Sequence, residues 1–233
     1  MPTNRPVSGP HPYIKICCIS SLEEAQTAIG LGASALGLVS EMPSGPGVIN
    51  QSEIASIAGH VAKNAPTSIA TFLLTAKQNA EEIIEQHQEC GTTTLQLVDK
   101  VAIEELKKLR LALPAIKLVQ VIHVSGETSI DEALTVQAHV DALLLDSGNQ
   151  QLSVKELGGT GRTHNWDISA RLVERAKVPV FLAGGLHSEN VGQAMQRVNP
   201  YGLDLCSGVR TNNRLDSEKL KNFMQQALFV GSE

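Results

Sequence analysis

The stretch from Ala142 to Trp166 reads ALLLDSGNQQLSVKELGGTGRTHNW. An apolar run ends in one carboxylate, Asp146, and opens into a loop carrying Gly158, Gly159 and Gly161. A short continuous apolar run is what a strand buried on both faces requires, as in a parallel sheet. A glycine-rich loop after it lets the backbone approach a polyanion without side-chain clash. The pattern predicts a buried parallel strand that delivers one acid to a ligand pocket.

On either side the same grammar repeats. Short β-branched or leucine-rich runs alternate with segments of helical period, giving candidate strands at 13–18, 34–39, 68–74, 93–98, 117–123, 140–146, 179–183 and 203–207. Ser21 with Glu24, Asn50 with Glu53, and Ser129 with Glu132 each pair a capping residue with a glutamate three positions on, the signature of a helix start. A last helix is expected at about 216–229, with Leu220, Phe223 and Leu228 inward and Lys219 and Lys221 outward. Eight βα units favour a single-domain (β/α)8 TIM barrel, an α/β fold that typically takes about 250 residues. An open doubly wound sheet more often shows GxGxxG after its first strand, where this chain has CISSLEE. The loops at 40–50 and 147–165 are long, and long loops in compact domains are usually functional.

Composition narrows the class. The chain has 233 residues, 42% of them hydrophobic, and lacks the run of about 18 apolar residues that a membrane span needs. Its start, MPTNRPVSGPHPY, has four prolines and no apolar h-region, so residues 1–12 read as a flexible extension ahead of a catalytic barrel at 13–233. A net charge of −5 and 3% aromatic residues argue against a nucleic-acid surface. Cys17, Cys18, Cys90 and Cys206 have no zinc-ribbon spacing, and a reducing cytoplasm is expected. None of the seven histidines forms an i, i+4 ligand pair, so no metal is expected. The expected partner is a small phosphorylated molecule, with no nucleic acid and no membrane, and the protein itself a monomer or homodimer.

In such barrels reactive groups sit at the C-terminal ends of the strands. Those ends carry Cys17 and Cys18, then Asp146, then Asp204, Cys206 and Ser207. Alternation along a strand predicts that only one of Cys17 and Cys18 faces the mouth, the other packing against helices. A thiolate and a carboxylic acid on separate strands suit a proton-relocating isomerase. Gly184 and Gly185 after strand seven, and Ser207 and Gly208 after strand eight, stand where these barrels often bind phosphate. Lys15 shares a face with Cys17 and is either a cation that lowers the thiol pKa or an inner-layer lysine paired with a carboxylate.

These residues also carry a resemblance, from about Tyr13 to Leu228, to the phosphoribosylanthranilate isomerase family. Lys15-Ile16-Cys17-Cys18-Ile19-Ser20 resembles its Lys-Ile-Cys-Gly-Ile-Thr, and Ala35 to Val39 its Ala-Leu-Gly-Phe-Val. Leu144-Leu145-Asp146-Ser147 and Gly158 to Trp166 follow its Leu-Leu-Asp-Ser and Gly-Gly-Thr-Gly-Lys-Thr-Phe-Asp-Trp. Leu182 to Leu186, Glu189 to Val191, Pro200 to Asp204, and Cys206 to Val209, the last against Ser-Ser-Gly-Val, complete the series. The resemblance implies a cofactor-free Amadori rearrangement in tryptophan biosynthesis, with Asp146 as general acid and Cys17 as general base. It implies that Asp204 helps hold the substrate near its amine and that Gly184, Gly185, Ser207 and Gly208 take the 5′-phosphate.

Three positions depart from the family pattern. Ser44-Gly45-Pro46-Gly47-Val48 replaces Ser-Pro-Arg-Tyr-Val, whose arginine meets the anthranilate carboxylate; Gln96-Leu97-Val98-Asp99 replaces Gln-Leu-His-Gly; and Arg210 replaces a glutamate. A lost bidentate arginine costs roughly 1.5–3 kcal/mol of carboxylate binding. Arg210 or His123 is therefore expected to supply the missing charge. The alternatives are the same barrel acting on a different phosphorylated aminosugar, or a phosphometabolite-binding protein without turnover, which would have no use for a matched acid and base.

Overall fold

The computed structural model describes residues 12–148, 157, 161 and 163–229. Residues 1–11 of the expected extension, and Gly158 and Gly159, lie outside them. Eight parallel strands alternate with helices: β1 (Tyr13–Ile16), α1 (Leu22–Gly30), β2 (Ala35–Val39), α2 (Gln51–Asn64), β3 (Ala70–Thr75), α3 (Ala80–Cys90), β4 (Thr94–Leu97) and α4 (Ile103–Ala112) form the first half. The second half runs β5 (Lys117–His123), α5 (Thr128–Val136), β6 (Ala142–Asp146), α6 (Trp166–Arg175), β7 (Val180–Leu182), α7 (Val191–Val198) and β8 (Gly202–Leu205). A small hairpin, β9 (Arg210–Thr211) with β10 (Arg214–Leu215), precedes α8 (Ser217–Phe229). The eight parallel strands form a closed barrel in chain order, and β1 and β8 close it with Lys15 opposite Asp204.

Two cores follow from the period-2 alternation of each strand. Outward residues such as Ile14, Ile16, Leu36, Leu143, Leu145 and Leu203 pack against the helices in the larger cluster. Inward residues such as Ala35, Phe72, Val119, Val121, Ala142, Leu144 and Phe181 fill the barrel. At its N-terminal end Tyr13, Tyr201 and Phe72 pack around Phe181 with ring centroids 5.4–6.3 Å away and planes crossing at 76–83°. This edge-to-face cluster fills the N-terminal end of the barrel.

The helix starts follow local chemistry, with one correction. Asn50 and Glu53 complete a capping box, and Ser21 accepts from the Glu24 N–H. Ser129 is not a cap: α5 starts a residue earlier at Thr128, and the Ser129 hydroxyl accepts from Ser125 N–H and donates to the His123 carbonyl, fixing the turn after β5. A tertiary acceptor one strand back outcompetes the capping position there. In α8, Leu220 and Phe223 are fully buried and Lys219 and Lys221 exposed, as the period predicts.

Candidate active site

The mouth of the barrel holds a cavity lined by Cys17, Cys18, Gln96, Asp146, Asp204 and Ser207 together with loop residues 44–46 and 183–186. The Cys17 N–H donates to the Leu205 carbonyl at 2.7 Å, which extends the β1–β8 ladder one residue past β1. Cys18 then turns left-handed at φ 63°. That conformation breaks the alternation, and both thiols line the cavity, which corrects the expectation that one would pack against helices. The Cys18 thiol, hydrogen-bonded to Cys17, draws the Cys17 pKa below its ordinary value; burial opposes this and the Lys15 ammonium reinforces it.

Lys15 is fully buried, which would be prohibitive without compensation. Its Nζ donates to Asp204 Oδ1 at 2.8 Å and lies 5.3 Å from the centre of the Phe72 ring. Burial alone would lower its pKa, but Asp204 and Cys17 outweigh that and hold the ammonium charged. Both sequence readings of Lys15 therefore hold at once: it is ion-paired, and its positive field reaches Cys17.

Asp146 closes β6, three steps round the ring from β1 by way of β7 and β8. Burial raises its carboxyl pKa above the usual value. The Ser147 N–H, donating to Oδ1 at 2.7 Å, and the neighbouring His123 offset this only in part. The cavity thus brings together a thiol shifted toward its thiolate and a carboxyl shifted toward its acid.

On the remaining side, Gly184 and Gly185 adopt left-handed φ values of 81° and 62° and line the cavity with Ser207 and Gly161. Asn190 braces this turn, donating to the Gly185 carbonyl at 2.9 Å and accepting from His187 N–H at 2.9 Å. Gly208 does not line the cavity but is indispensable to its shape. A Cβ there would stand 2.0 Å from the Leu186 carbonyl oxygen, so only glycine lets the loops after β7 and β8 approach this closely.

Arg210 is placed differently from expectation. Its guanidinium pairs with Glu24 at 3.0 Å and donates to the Cys17 and Cys18 carbonyls, and its side chain is 7% exposed outside the cavity lining. Those partners consume the charge expected to meet a substrate carboxylate. His123, in register with Asp146, donates from Nε2 to the Val98 carbonyl at 2.9 Å, and its buried Nδ1 has no partner among the described residues. Gln96 was missed by the sequence reading. It is 3% exposed, lines the cavity and keeps an Oε1 without a partner among the described residues, and its signal was a polar residue in the strand TLQL.

Comparison with known proteins agrees with this fold. Residues 14–226 match the model of the family described as N-(5′phosphoribosyl)anthranilate (PRA) isomerase. A relative named N-(5′-phosphoribosyl)anthranilate isomerase 2 from Methanosarcina mazei is 36% identical over 216 residues, covering 92% of this chain and 93% of the relative. One named N-(5′-phosphoribosyl)anthranilate isomerase from a Synechococcus species is 33% identical over 221 residues, covering 92% and 89%. The crystal structure of phosphoribosyl anthranilate isomerase from Thermotoga maritima superposes with a TM-score of 0.78 at 26% identity, covering 93% of this chain and 98% of that one. With a matched span that takes in the barrel from β1 into α8, the chain belongs to the N-(5′-phosphoribosyl)anthranilate isomerase family.

Proposed function

We propose that the protein converts N-(5′-phosphoribosyl)anthranilate to 1-(2-carboxyphenylamino)-1-deoxyribulose 5-phosphate, an aldose–ketose isomerisation in tryptophan biosynthesis. The observation that carries the reading is the pairing, in one cavity, of a Cys17 thiol pulled toward its thiolate with an Asp146 carboxyl pushed toward its acid. Asp146 protonates the ribose ring oxygen as its bond to C1′ breaks, and the amine lone pair forms the iminium. Cys17 takes the C2′ proton, and the electron pair left behind makes the enolamine, which tautomerises to the ketone. Asp204, held by Lys15, stands by the amine, and Gly184, Gly185 and Ser207 receive the phosphate, with Gly208 setting their spacing.

With Arg210 engaged by Glu24, His123 is the remaining group proposed for the substrate carboxylate; it does not line the cavity either, so the role requires its ring to turn into the mouth. We place the reaction in the cytoplasm, where thiols stay reduced, since all four cysteines are free; the enzyme works there as a monomer or homodimer. Among the described residues no helix is long and apolar enough to cross a membrane.

A second reading rests on one observation: among the described residues no lysine or arginine lines the cavity. That favours a phosphorylated aminosugar whose amine substituent lacks a carboxylate. Complementation of a tryptophan auxotroph lacking this isomerase separates the two. Growth is expected on the first reading, and failure to grow with the protein stably expressed would overturn it.

A further inference from the structure

We propose that Cys18 and Cys206 are a reversible oxidation site at the rim of the cavity, closing to a disulfide when a low-molecular-weight disulfide is the oxidant. The two Sγ atoms stand 2.7 Å apart. A disulfide needs about 2.05 Å, so bond formation asks for a shift well under 1 Å. The thiols come from the two ends of the chain, Cys18 just after β1 and Cys206 just after β8. Both line the catalytic cavity.

The surroundings make the pairing selective. The left-handed turn at Cys18 brings its side chain to the cavity, and the loop after β2 walls it in: its Sγ lies 3.6 Å from the Pro46 carbonyl oxygen, and Gly47 packs against its Cβ. Cys18 is 4% exposed, whereas Cys206 is only half-buried and can meet a small molecule. A hydrogen bond with Cys17, reinforced by Cys206 and by burial, holds the Cys18 thiol well above its ordinary pKa, so the half-buried Cys206 is the sulfur that meets the external disulfide first.

In the first step the Cys206 thiol loses its proton and its thiolate attacks one sulfur of the external disulfide. A mixed disulfide forms, and one thiolate leaves and takes up a proton. Cys18 sulfur then loses its proton and attacks Cys206 Sγ, expelling the second thiolate, which is protonated in turn. Two protein thiols are oxidised by two electrons, and one external disulfide is reduced to two thiols. The new bond ties the residue after Cys17 to the residue before Ser207 and removes the S–H that hydrogen-bonds to Cys17. On the reading that Cys17 is the base, turnover in the oxidised form falls by about 10²-fold, as small misplacements of a reacting group do.

The test is incubation of the reduced full-length protein with oxidised glutathione, followed by intact mass and peptide sequencing, with Cys17→Ser used to assign the linked sulfurs. Expected are loss of two hydrogen atoms, a Cys18–Cys206 link, and recovery of mass and turnover with dithiothreitol. Cys206→Ser is expected to lose both the link and the reversible inhibition, each compared with its own reduced form. A persistent glutathione adduct without an internal link, no change in mass, or equal inhibition of Cys206→Ser would overturn the proposal. The mass result decides it even if the reduced protein shows no isomerase turnover, an outcome that would count against the proposed function alone.

Discussion

Asp146 and Cys17 can act together only in opposite protonation states, and their surroundings shift each toward the state its role requires. Burial lifts the Asp146 carboxyl, while Cys18 and Lys15 lower the Cys17 thiol. Both shifts enlarge the fraction of molecules holding a carboxylic acid and a thiolate at once. The sign of each pH limb follows. Activity is lost toward acid because the base is protonated, and lost toward alkali because the acid is spent, with the two apparent pKa values belonging to the pair. The kcat/KM profile should therefore be bell-shaped. In Asp146→Asn the residual activity should keep only the limb that falls toward acid; a variant retaining both limbs would remove Asp146 from the role. The partner of Asp204 was legible in outline, because Lys15 sits on the face of Cys17. The left-handed Cys18 was not, since the alternation rule has no term for a non-glycine residue at φ 63°.

At the scale of elements, the strand ends were readable because apolar runs stop where the barrel opens to solvent. All eight predicted strands are present, and Asp146 and Asp204 lie on β6 and β8 where the runs placed them. What escaped was tertiary partnership between distant segments. Arg210 meets Glu24 across 186 residues, a pairing with no local signature, and the expected substrate role went with it. Arg210→Ala should cost about 2–3 kcal/mol of stability through the lost charged hydrogen bonds. It should leave KM within about twofold, as a group outside the cavity would; a large KM change without loss of stability would restore it to the substrate. Gly208→Ala tests the loop pair after β7 and β8. The added Cβ must push against the Leu186 carbonyl oxygen at 2.0 Å, so KM for the phosphorylated substrate should rise by at least about 10-fold. Unchanged kinetics would show that the close approach has no part in phosphate binding.

Across the whole molecule, the first and last βα units are joined twice, by the β1–β8 ladder and by Glu24, which accepts from Arg210 and from the Leu215 N–H at 2.7 Å. Burial alone would raise the Glu24 carboxyl, but these bonds outweigh it and hold the pKa below the ordinary carboxylate value. A depressed folded pKa contributes stability that is present above the unfolded value, about 4.3, and is lost as pH falls through the folded one. Glu24→Gln should accordingly unfold at lower denaturant than wild type at pH 7, by about 2 kcal/mol, with the gap narrowing below about pH 4. A gap independent of pH would mean that charge is not what the contact uses. The eightfold repeat was legible because the sequence alternates two periods, whereas the clasp between α1 and β10 depends on closure, which no single segment encodes. Following the loss of fluorescence when the purified chain is mixed with N-(5′-phosphoribosyl)anthranilate puts the acid–base pair itself on trial. Wild type should consume the substrate catalytically, and Cys17→Ala and Asp146→Asn should each be slower by at least about 10²-fold; a wild-type rate equal to the uncatalysed one, or variants as fast as wild type, would contradict it.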